Sequence, residues 1–300
     1  MELSIILVNY NGLAYLSGCL DSVMRFAPLG SEVILVDSAS SDGSPDMVER
    51  NYPWVRLLRS GTNVGFTGGN NLAAAHANGD FLLLLNADTL LLEPLAPALE
   101  WLKENPKYGI LTIGMTDGGG VRRACTGRFP TPARLAFLRR MLVAPDRYEG
   151  CEACEVDWVQ GSFLLIRKHL WQALGGFNDR YFMYVEDIDL CKRGRDLGSK
   201  CGFLPQMRYT HFGGFSPARF PSQVANLALY VDQHMKGIRR TTCRAVLVLG
   251  CIARVLLYDL RALIVRDENS RIIESACRQA LRTLIPRHSR IVDREFGVRP

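Results

Sequence analysis

Four short stretches of this sequence bring together residue types that do chemistry. Asn86-Ala87-Asp88 closes its most hydrophobic run, Phe81–Asn86. A carboxylate there can coordinate a hard divalent cation that also grips phosphate oxygens; equally, it can cap a helix beginning before Leu90. Glu186, Asp187 and Asp189 fall within Val185-Glu-Asp-Ile-Asp-Leu190, at the start of an amphipathic segment. Asp189 has a structural explanation, an i,i+4 pair with Arg193, and acidic groups suit a helix N-terminus. Glu186 and Asp187 are less well explained this way, because they follow the aromatic stretch Tyr181-Phe-Met-Tyr184. An apolar wall raises a carboxylate's proton affinity and prepares it to act as a general base. His211-Phe-Gly-Gly214 sets a histidine beside two glycines, open to close approach by a ligand, although a lone histidine is more often structural. Gly65-Phe-Thr-Gly-Gly69-Asn-Asn71 is a glycine-rich loop opening a helix, a place where anions bind.

The elements that must position these groups alternate. Strands are expected at Ser4–Asn9, Glu32–Asp37, Val55–Leu58 and Phe81–Asn86. Helices are expected at Tyr15–Phe26, Ser44–Asn51 and Gly68–Asn78. Such alternation implies an α/β sheet with helices on both faces, and ligands then sit beyond the carboxyl ends of the strands. Those ends read Asn9-Tyr10-Asn11, Asp37-Ser38 and Asn86-Ala87-Asp88, so three strands aim polar or acidic groups at one edge. Further along, Val156–Arg167 reads as one apolar strand, Val185–Leu197 as a helix, and Phe203–Tyr209 as a strand leaving at His211. The region from Pro217 to Arg287 is helical by periodicity.

Several chemistries lose weight. The glycines of the loop do not follow the first strand with dinucleotide-binding spacing, and neither G-x-x-x-x-G-K-[ST] nor G-x-S-x-G occurs. Cys151-Glu-Ala-Cys154 is a single C-x-x-C with no second pair, which disfavours zinc. Arg122, Arg123, Arg128 and Arg134 cluster in a Gly/Pro-rich stretch that reads as a solvated loop or a lid over a phosphate-bearing substrate. The 300 residues are 48% hydrophobic and 22% charged, with net charge +6, which are ordinary globular values. Nine cysteines at irregular spacing suggest free thiols in a reducing compartment. No signal peptide is legible, and the longest apolar run, Ala245–Ala253, is about half a membrane span. A cytoplasmic protein is the expectation. The basic excess is concentrated from Lys236 onward, which favours a polyanionic surface there and not nucleic acid along the near-neutral front of the chain.

Taken together, the motifs resemble family-2 glycosyltransferases of GT-A fold, particularly their bacterial rhamnosyltransferase-like branch. The resemblance rests on Ile6-Leu-Val-Asn-Tyr-Asn-Gly12, Val36-Asp-Ser-Ala-Ser-Ser-Asp-Gly-Ser44, Asn63-Val-Gly-Phe-Thr-Gly-Gly-Asn-Asn71 and Leu85-Asn-Ala-Asp88. It continues through Trp158-Val-Gln-Gly-Ser-Phe-Leu-Leu-Ile-Arg167, Gly175-Gly-Phe-Asn178, Phe182-Met-Tyr-Val-Glu-Asp-Ile-Asp-Leu-Cys191 and His211-Phe-Gly-Gly214. What it implies is a catalytic domain over 1–216, with a nucleotide-sugar half at 1–110 and an acceptor and catalytic half at 111–216. A helical extension would occupy 217–300. The implied fold is a central, mostly parallel sheet flanked by helices, and the implied activity is inverting transfer of a sugar, with rhamnose as the branch-level expectation.

By the same resemblance, Asn9, Tyr10, Asp37 and Asp42 would line the base and ribose pocket, with Asn63, Gly69, Asn86 and Glu186 also among the donor-binding residues. Asp88 and His211 would hold a divalent metal, Mg²⁺ or Mn²⁺, against the diphosphate, and Asp187 would be the catalytic base. The donor would be a dTDP- or UDP-sugar, and the acceptor a saccharide of the kind carried on polyprenyl diphosphate. Thr242–Arg266 alternates apolar runs with Arg244, Arg254, Arg261 and Arg266. It reads as a helix packed on the catalytic domain with its arginines facing out, or as one lying on the cytoplasmic face of the inner membrane. A homodimer is compatible with the sequence. The rival functions are a sugar nucleotidylyltransferase and a non-catalytic partner that keeps the fold.

Overall fold

The computed structural model describes residues 1–137, 141–148, 150–213, 217–265 and 268–284. Gly214, Arg266 and Arg287, named above, lie outside the described residues. The described chain forms two compact units.

The first unit comprises Met1–Phe129 and Leu142–Gly213. Its first half alternates as expected: β1 (Leu3–Asn9), α1 (Leu13–Phe26), β2 (Glu32–Ser38), α2 (Ser44–Asn51), β3 (Val55–Ser60), α3 (Gly65–Ala75) and β4 (Phe81–Asn86). Then come β5 (Thr89–Leu91), α4 (Ala96–Glu104), β6 (Tyr108–Thr116), β7 (Arg122–Arg123) and β8 (Thr126–Gly127). The short helix α5 (Pro132–Ala136) belongs to the other unit. Beyond it lie β9 (Cys154–Val156), β10 (Trp158–Val159), β11 (Phe163–Arg167), α6 (Lys168–Leu174), α7 (Glu186–Asp196) and β12 (Lys200–His211). The main sheet runs β3-β2-β1-β4-β11-β6-β12-β5, with β7 added to β6 and β9 to β12, while β8 and β10 pair separately.

β1 pairs in parallel with both β2 and β4, so it is buried on both faces and reads as an unbroken apolar run. Ile5, Ile6 and Leu7 are fully buried, and each such side chain contributes about 1.5–3 kcal/mol by leaving water. β4 is leucine-rich and therefore not a strong intrinsic strand former; its place between β1 and β11 decides its conformation. β11 runs antiparallel between β4 and β6. That reversal brings the start of β11 to the edge where β1, β2 and β4 end, and the Asn86 amide donates to the Ser162 carbonyl there at 3.1 Å.

Two sequence expectations change here. The supposed single strand Val156–Arg167 is three strands, because Asp157 and Gln160–Ser162 leave the ladder: the Asp157 carboxylate accepts from the Phe129 amide (2.9 Å) and from Arg195 (3.0 Å). Asp88 caps no helix, since the residues after it form β5, an edge strand antiparallel to β12. A third correction concerns cysteine. Cys151 and Cys154 are joined as a disulfide, their Cα atoms 6.4 Å apart and within bridging range, while the other seven are buried thiols.

The second unit combines Pro130–Met141 with α8 (Phe220–His234), α9 (Gly237–Val265) and α10 (Glu268–Leu284). Cys243, Leu247, Cys251 and Val255 recur every four residues and form the buried face of α9. Of the expected row of outward arginines, Arg261 is exposed but Arg244 and Arg254 are only half-exposed and held by neighbours. Arg244 lies 3.8 Å from Asp232, and Arg254 stacks on the Phe220 ring and donates to the Gly250 carbonyl at 2.9 Å. Leu249, Ile252, Leu256, Leu257 and Leu260 also face solvent. No helix among the described residues is long and apolar enough to cross a membrane.

Candidate active site

The carboxyl ends of β1 and β2 are stitched by their own side chains. The Asn9 side-chain Nδ2 donates to Asp37 (2.8 Å), to the Ser40 hydroxyl (3.1 Å) and to the Ser44 hydroxyl (2.7 Å). Asp37 is buried and accepts the Ser40 amide at 3.0 Å. Asn11 and Ala39 sit at positive φ, +52° and +59°, and turn the two loops toward each other. Asn11 then bridges them, its amide donating to Ser40 (2.9 Å) and its side chain accepting from the Ser41 amide (2.8 Å). Asp42 accepts from the Leu13 amide (2.8 Å) and from Ser44. Burial works against its charge, but the bonds from Ser44 and Leu13 outweigh it and hold its pKa below the usual value. Tyr10 projects from the same edge, 56% exposed.

The glycine-rich loop packs tightly. A Cβ on Gly69 would stand 2.7 Å from both methyls of Val8, so glycine lets α3 lie directly on β1. Gly69 is thereby buried, and its type is set by this contact. Asn63 accepts the Gly65 amide at 2.9 Å and organises the turn into α3.

β4 and β12 bring the next group together. Asp88 Oδ1 lies 3.2 Å from His211 Nε2, and the Asn86 side-chain nitrogen lies 3.5 Å from the same ring atom. The Phe212 amide donates to the Asp88 carbonyl at 2.9 Å and fixes the pair's spacing. A Cβ on Gly213 would come 2.7 Å from His211 Nε2 and 2.9 Å from Asp88 Oδ2, so the cradle at these two donors depends on glycine. No cluster of three or more His, Cys, Asp or Glu suited to a metal exists among the described residues. One carboxylate and one imidazole nonetheless fit Mg²⁺ or Mn²⁺. Ions of that kind keep several waters and take only one or two carboxylates beside substrate phosphates.

Asp187 opens α7. Its carboxylate accepts from the Gly161 amide (3.0 Å) and from the Ile188 amide (2.8 Å). Burial raises its pKa to about 6 in spite of these bonds. Glu186 is buried deeper and pushed well above the carboxylate range by burial and by Asp187. The two residues before the pair, Tyr184 and Val185, are both left-handed, with φ of +76° and +73°. Backbone strain of this kind costs roughly 1–3 kcal/mol per residue and persists only where surrounding structure enforces it. The enforcing contact is visible: the Phe182 carbonyl accepts from the Phe66 and Thr67 amides at 3.1 and 3.3 Å, docking the loop on the start of α3.

Five buried side-chain polar atoms have no hydrogen-bond partner among the described residues: Asn9 Oδ1, Ser38 Oγ, Thr67 Oγ1, Asn86 Oδ1 and Glu186 Oε2. All belong to the ends of β1, β2 and β4 or the starts of α3 and α7. Buried polar groups are nearly always satisfied, so this concentration marks an edge built to meet something else. Asn9, Asp37 and Asp42 form one connected group, and Asn86, Asp88 and His211 a second. Glu186 and Asp187 lie on the α7 side, joined through Gly161–Ser162 to the end of β4. Sequence reasoning missed Ser40, Ser44 and Gly161. The first two were legible as hydroxyls in the turn after β2, and Gly161 as the break in an apolar run.

The arginine cluster separates. Arg122 and Arg123 form β7, Arg128 lies 3.7 Å from Asp157, and Arg134 belongs to α5 in the second unit.

The family model for glycosyl transferase family 2 matches residues 4–160. An N-acetylglucosaminyl-diphospho-decaprenol L-rhamnosyltransferase of Mycobacterium tuberculosis is 28% identical over 246 residues, covering 73% of this chain and 79% of that protein. The rhamnosyltransferase WbbL of Escherichia coli is 28% identical over 170 residues, 51% of this chain and 62% of its own. Among solved structures, the mannosyltransferase PcManGT from Pyrobaculum calidifontis, in complex with GDP-Man and Mn²⁺, aligns with a TM-score of 0.60 at 18% identity. It covers 93% of this chain and 85% of that one. Residues 1–349 of S. aureus TarS in complex with UDP align at 0.53 and 19% identity, covering 83% and 70%. Both likenesses are likenesses of fold, and the fold is GT-A.

Proposed function

Because this chain belongs to glycosyl transferase family 2, and is thus a glycosyltransferase of glycan biosynthesis, we propose that it moves rhamnose from a dTDP-sugar to a saccharide carried on polyprenyl diphosphate, with inversion. The rhamnosyltransferases it is similar to support the choice of sugar, and the name of the mycobacterial relative supports the acceptor. The catalytic unit is assigned to Met1–Phe129 with Leu142–Gly213, and an ancillary role to the helical unit of α8, α9 and α10 with Pro130–Met141, so the expected boundary at 216 gives way to a second unit that also takes in the segment around α5.

The observation that carries the reading is the pairing of Asp88 with His211 at the sheet edge to which Asp187 is joined through Gly161–Ser162, with five buried polar atoms there that have no partner among the described residues. Asn9, Tyr10, Asp37 and Asp42 take the nucleoside end of the donor, with Asn63, Asn86 and Glu186 toward its sugar and diphosphate. Asp88 and His211 hold Mg²⁺ or Mn²⁺, which when bound neutralises charge building on the departing diphosphate. Asp187 accepts the proton of the attacking acceptor hydroxyl as that oxygen bonds to the sugar's anomeric carbon and the nucleoside diphosphate leaves. Two backbone amides aim the carboxylate, and a pKa near 6 suits a base working close to neutrality.

The exposed leucine row of α9, with Lys236, Arg239 and Arg240 exposed at the helix start, supports contact with an anionic lipid surface where such an acceptor resides.

A thermal-shift panel of dTDP, UDP, GDP and ADP, each with Mn²⁺, with Mg²⁺ and with chelator, tests the donor reading. A ligand at 100 times its dissociation constant stabilises the folded protein by about 2.7 kcal/mol. A metal-dependent shift with dTDP is expected, followed by rhamnose transfer from dTDP-rhamnose. No shift with any nucleotide would overturn the reading.

A further inference from the structure

A cleft in the first unit has an apolar floor and exposed arginines among its lining residues. It opens where β12 leaves its register with β6: Leu204 pairs with Ile113, the next pair is Arg208 with Gly114, and Pro205, Gln206 and Met207 loop out. Bulges of this kind re-aim a side chain, here that of Arg208. Gly114 makes room for it, since a Cβ there would stand 3.0 and 3.1 Å from the carbonyls of Met207 and Pro205. Met115, Cys125, Tyr148 and Phe203 line the cleft with Arg122 and Arg208. The Tyr148 and Phe203 rings meet edge to face at 4.8 Å, and the Tyr148 hydroxyl is fixed by Thr126 at 3.0 Å.

The arginines are not equivalent. Arg123 is neutralised by Asp117, to which its Nε donates at 2.8 Å. Arg122 and Arg208 form no ion pair among the described residues. The nearby carboxylate of Glu93 accepts from the Arg208 backbone amide at 2.6 Å. The cleft is also wired to the reaction centre. The Gln160 backbone N–H donates to the Cys125 carbonyl at 2.8 Å, and the backbone N–H of the next residue, Gly161, donates to Asp187 at 3.0 Å.

From this arrangement we infer that the cleft is a subsite for an isoprenoid diphosphate. Arg122 and Arg208 take the diphosphate, and the floor of Phe203, Tyr148 and Met115 takes the first isoprene unit. Guanidinium groups bind phosphate oxygens in charge-assisted pairs, and an apolar floor beneath them selects an anion with a hydrocarbon tail over a free one. The inference rests on the proposed lipid-linked acceptor and names the residues that recognise its non-sugar part.

The test is direct binding of citronellyl diphosphate to the full chain, followed by calorimetry, with inorganic pyrophosphate and citronellol as comparison probes. Citronellyl diphosphate should bind more tightly than either. The double variant Arg122→Gln/Arg208→Gln should weaken it at least 10-fold, while Arg147→Gln, an exposed arginine outside the cleft, changes little. The metal-dependent dTDP shift should survive in the double variant. The inference is overturned if wild-type protein does not bind citronellyl diphosphate, if the double variant binds it as well, or if Arg147→Gln weakens it equally. Loss of dTDP binding in the double variant would also overturn it, by assigning the arginines to the donor. Failure of the donor reading shows separately, as wild-type protein without a nucleotide shift in any metal.

Discussion

Asp42 and Asp187 are the same residue type at the same edge of one sheet, and their surroundings drive them in opposite directions. Asp42 sits in a loop where the Leu13 amide and Ser44 converge on its oxygens, and it is held ionised. Asp187 also receives two backbone amides, yet burial dominates and its pKa rises to about 6. The first environment suits a group that must stay charged and still. The second suits a group that must take up a proton and give it back. Divergent environments for paired carboxylates separate binding from acid–base work.

The sharpest way to break this comparison is Asp187→Asn. It should lower kcat at least ~100-fold, since loss of a general base costs that much, and leave the dTDP shift in place; near-normal turnover would remove Asp187 from the base role. Next in size is Asp88→Ala, expected to weaken metal-dependent donor binding by at least ~10-fold, because even partners outside the first coordination sphere cost 10–100-fold in metal affinity. Equal nucleotide shifts with and without metal in wild type and variant would refute it. A pH profile sharpens the contrast further. Transfer needs the ionised form of Asp187, so kcat should fall about tenfold per unit below pH 6. Stability moves the other way. The folded-state pKa lies above the ordinary 3.8, so the contribution of Asp187 is fully present below that value and is lost as pH rises through about 6. Asp187→Asn should therefore gain in Tm relative to wild type at pH 7.5 compared with pH 4. The smallest effect belongs to Asp42→Ala, which removes two or three loop hydrogen bonds and should raise donor KM about 2–10-fold with kcat little changed; a kcat loss as large as that of Asp187→Asn would erase the distinction.

Much of the donor side was legible from sequence because its signals are local. β1, β2 and β4 are short apolar runs that end in polar residues, and the ends of parallel strands are where ligands bind. The acceptor side was less legible because its geometry depends on distant partners. The run Val156–Arg167 reads as one strand, and only the pull of Phe129 and Arg195 on Asp157, and of Asp187 on Gly161, breaks it into three. The edge strand after Asp88 exists because β12 pairs with it, and nothing within Thr89–Leu91 forecasts that. Two arginines of α9 were misread for a related reason. Arg244 and Arg254 find partners in Asp232 and Phe220, which helical periodicity alone does not reveal.

The reversed strand β11 has a consequence for synthesis of the chain. Asn86 and His211 are 125 residues apart, and at 5–20 residues per second that interval takes a ribosome about 6–25 s. During it β4 can already pair with β1, but its other edge waits for β11, and the edge of β6 waits for β12. An unpaired, almost wholly leucine edge is a template for association with other chains. The same topology that gathers the reaction centre at one rim thus makes the nascent protein dependent, for those seconds, on whatever shields its growing sheet.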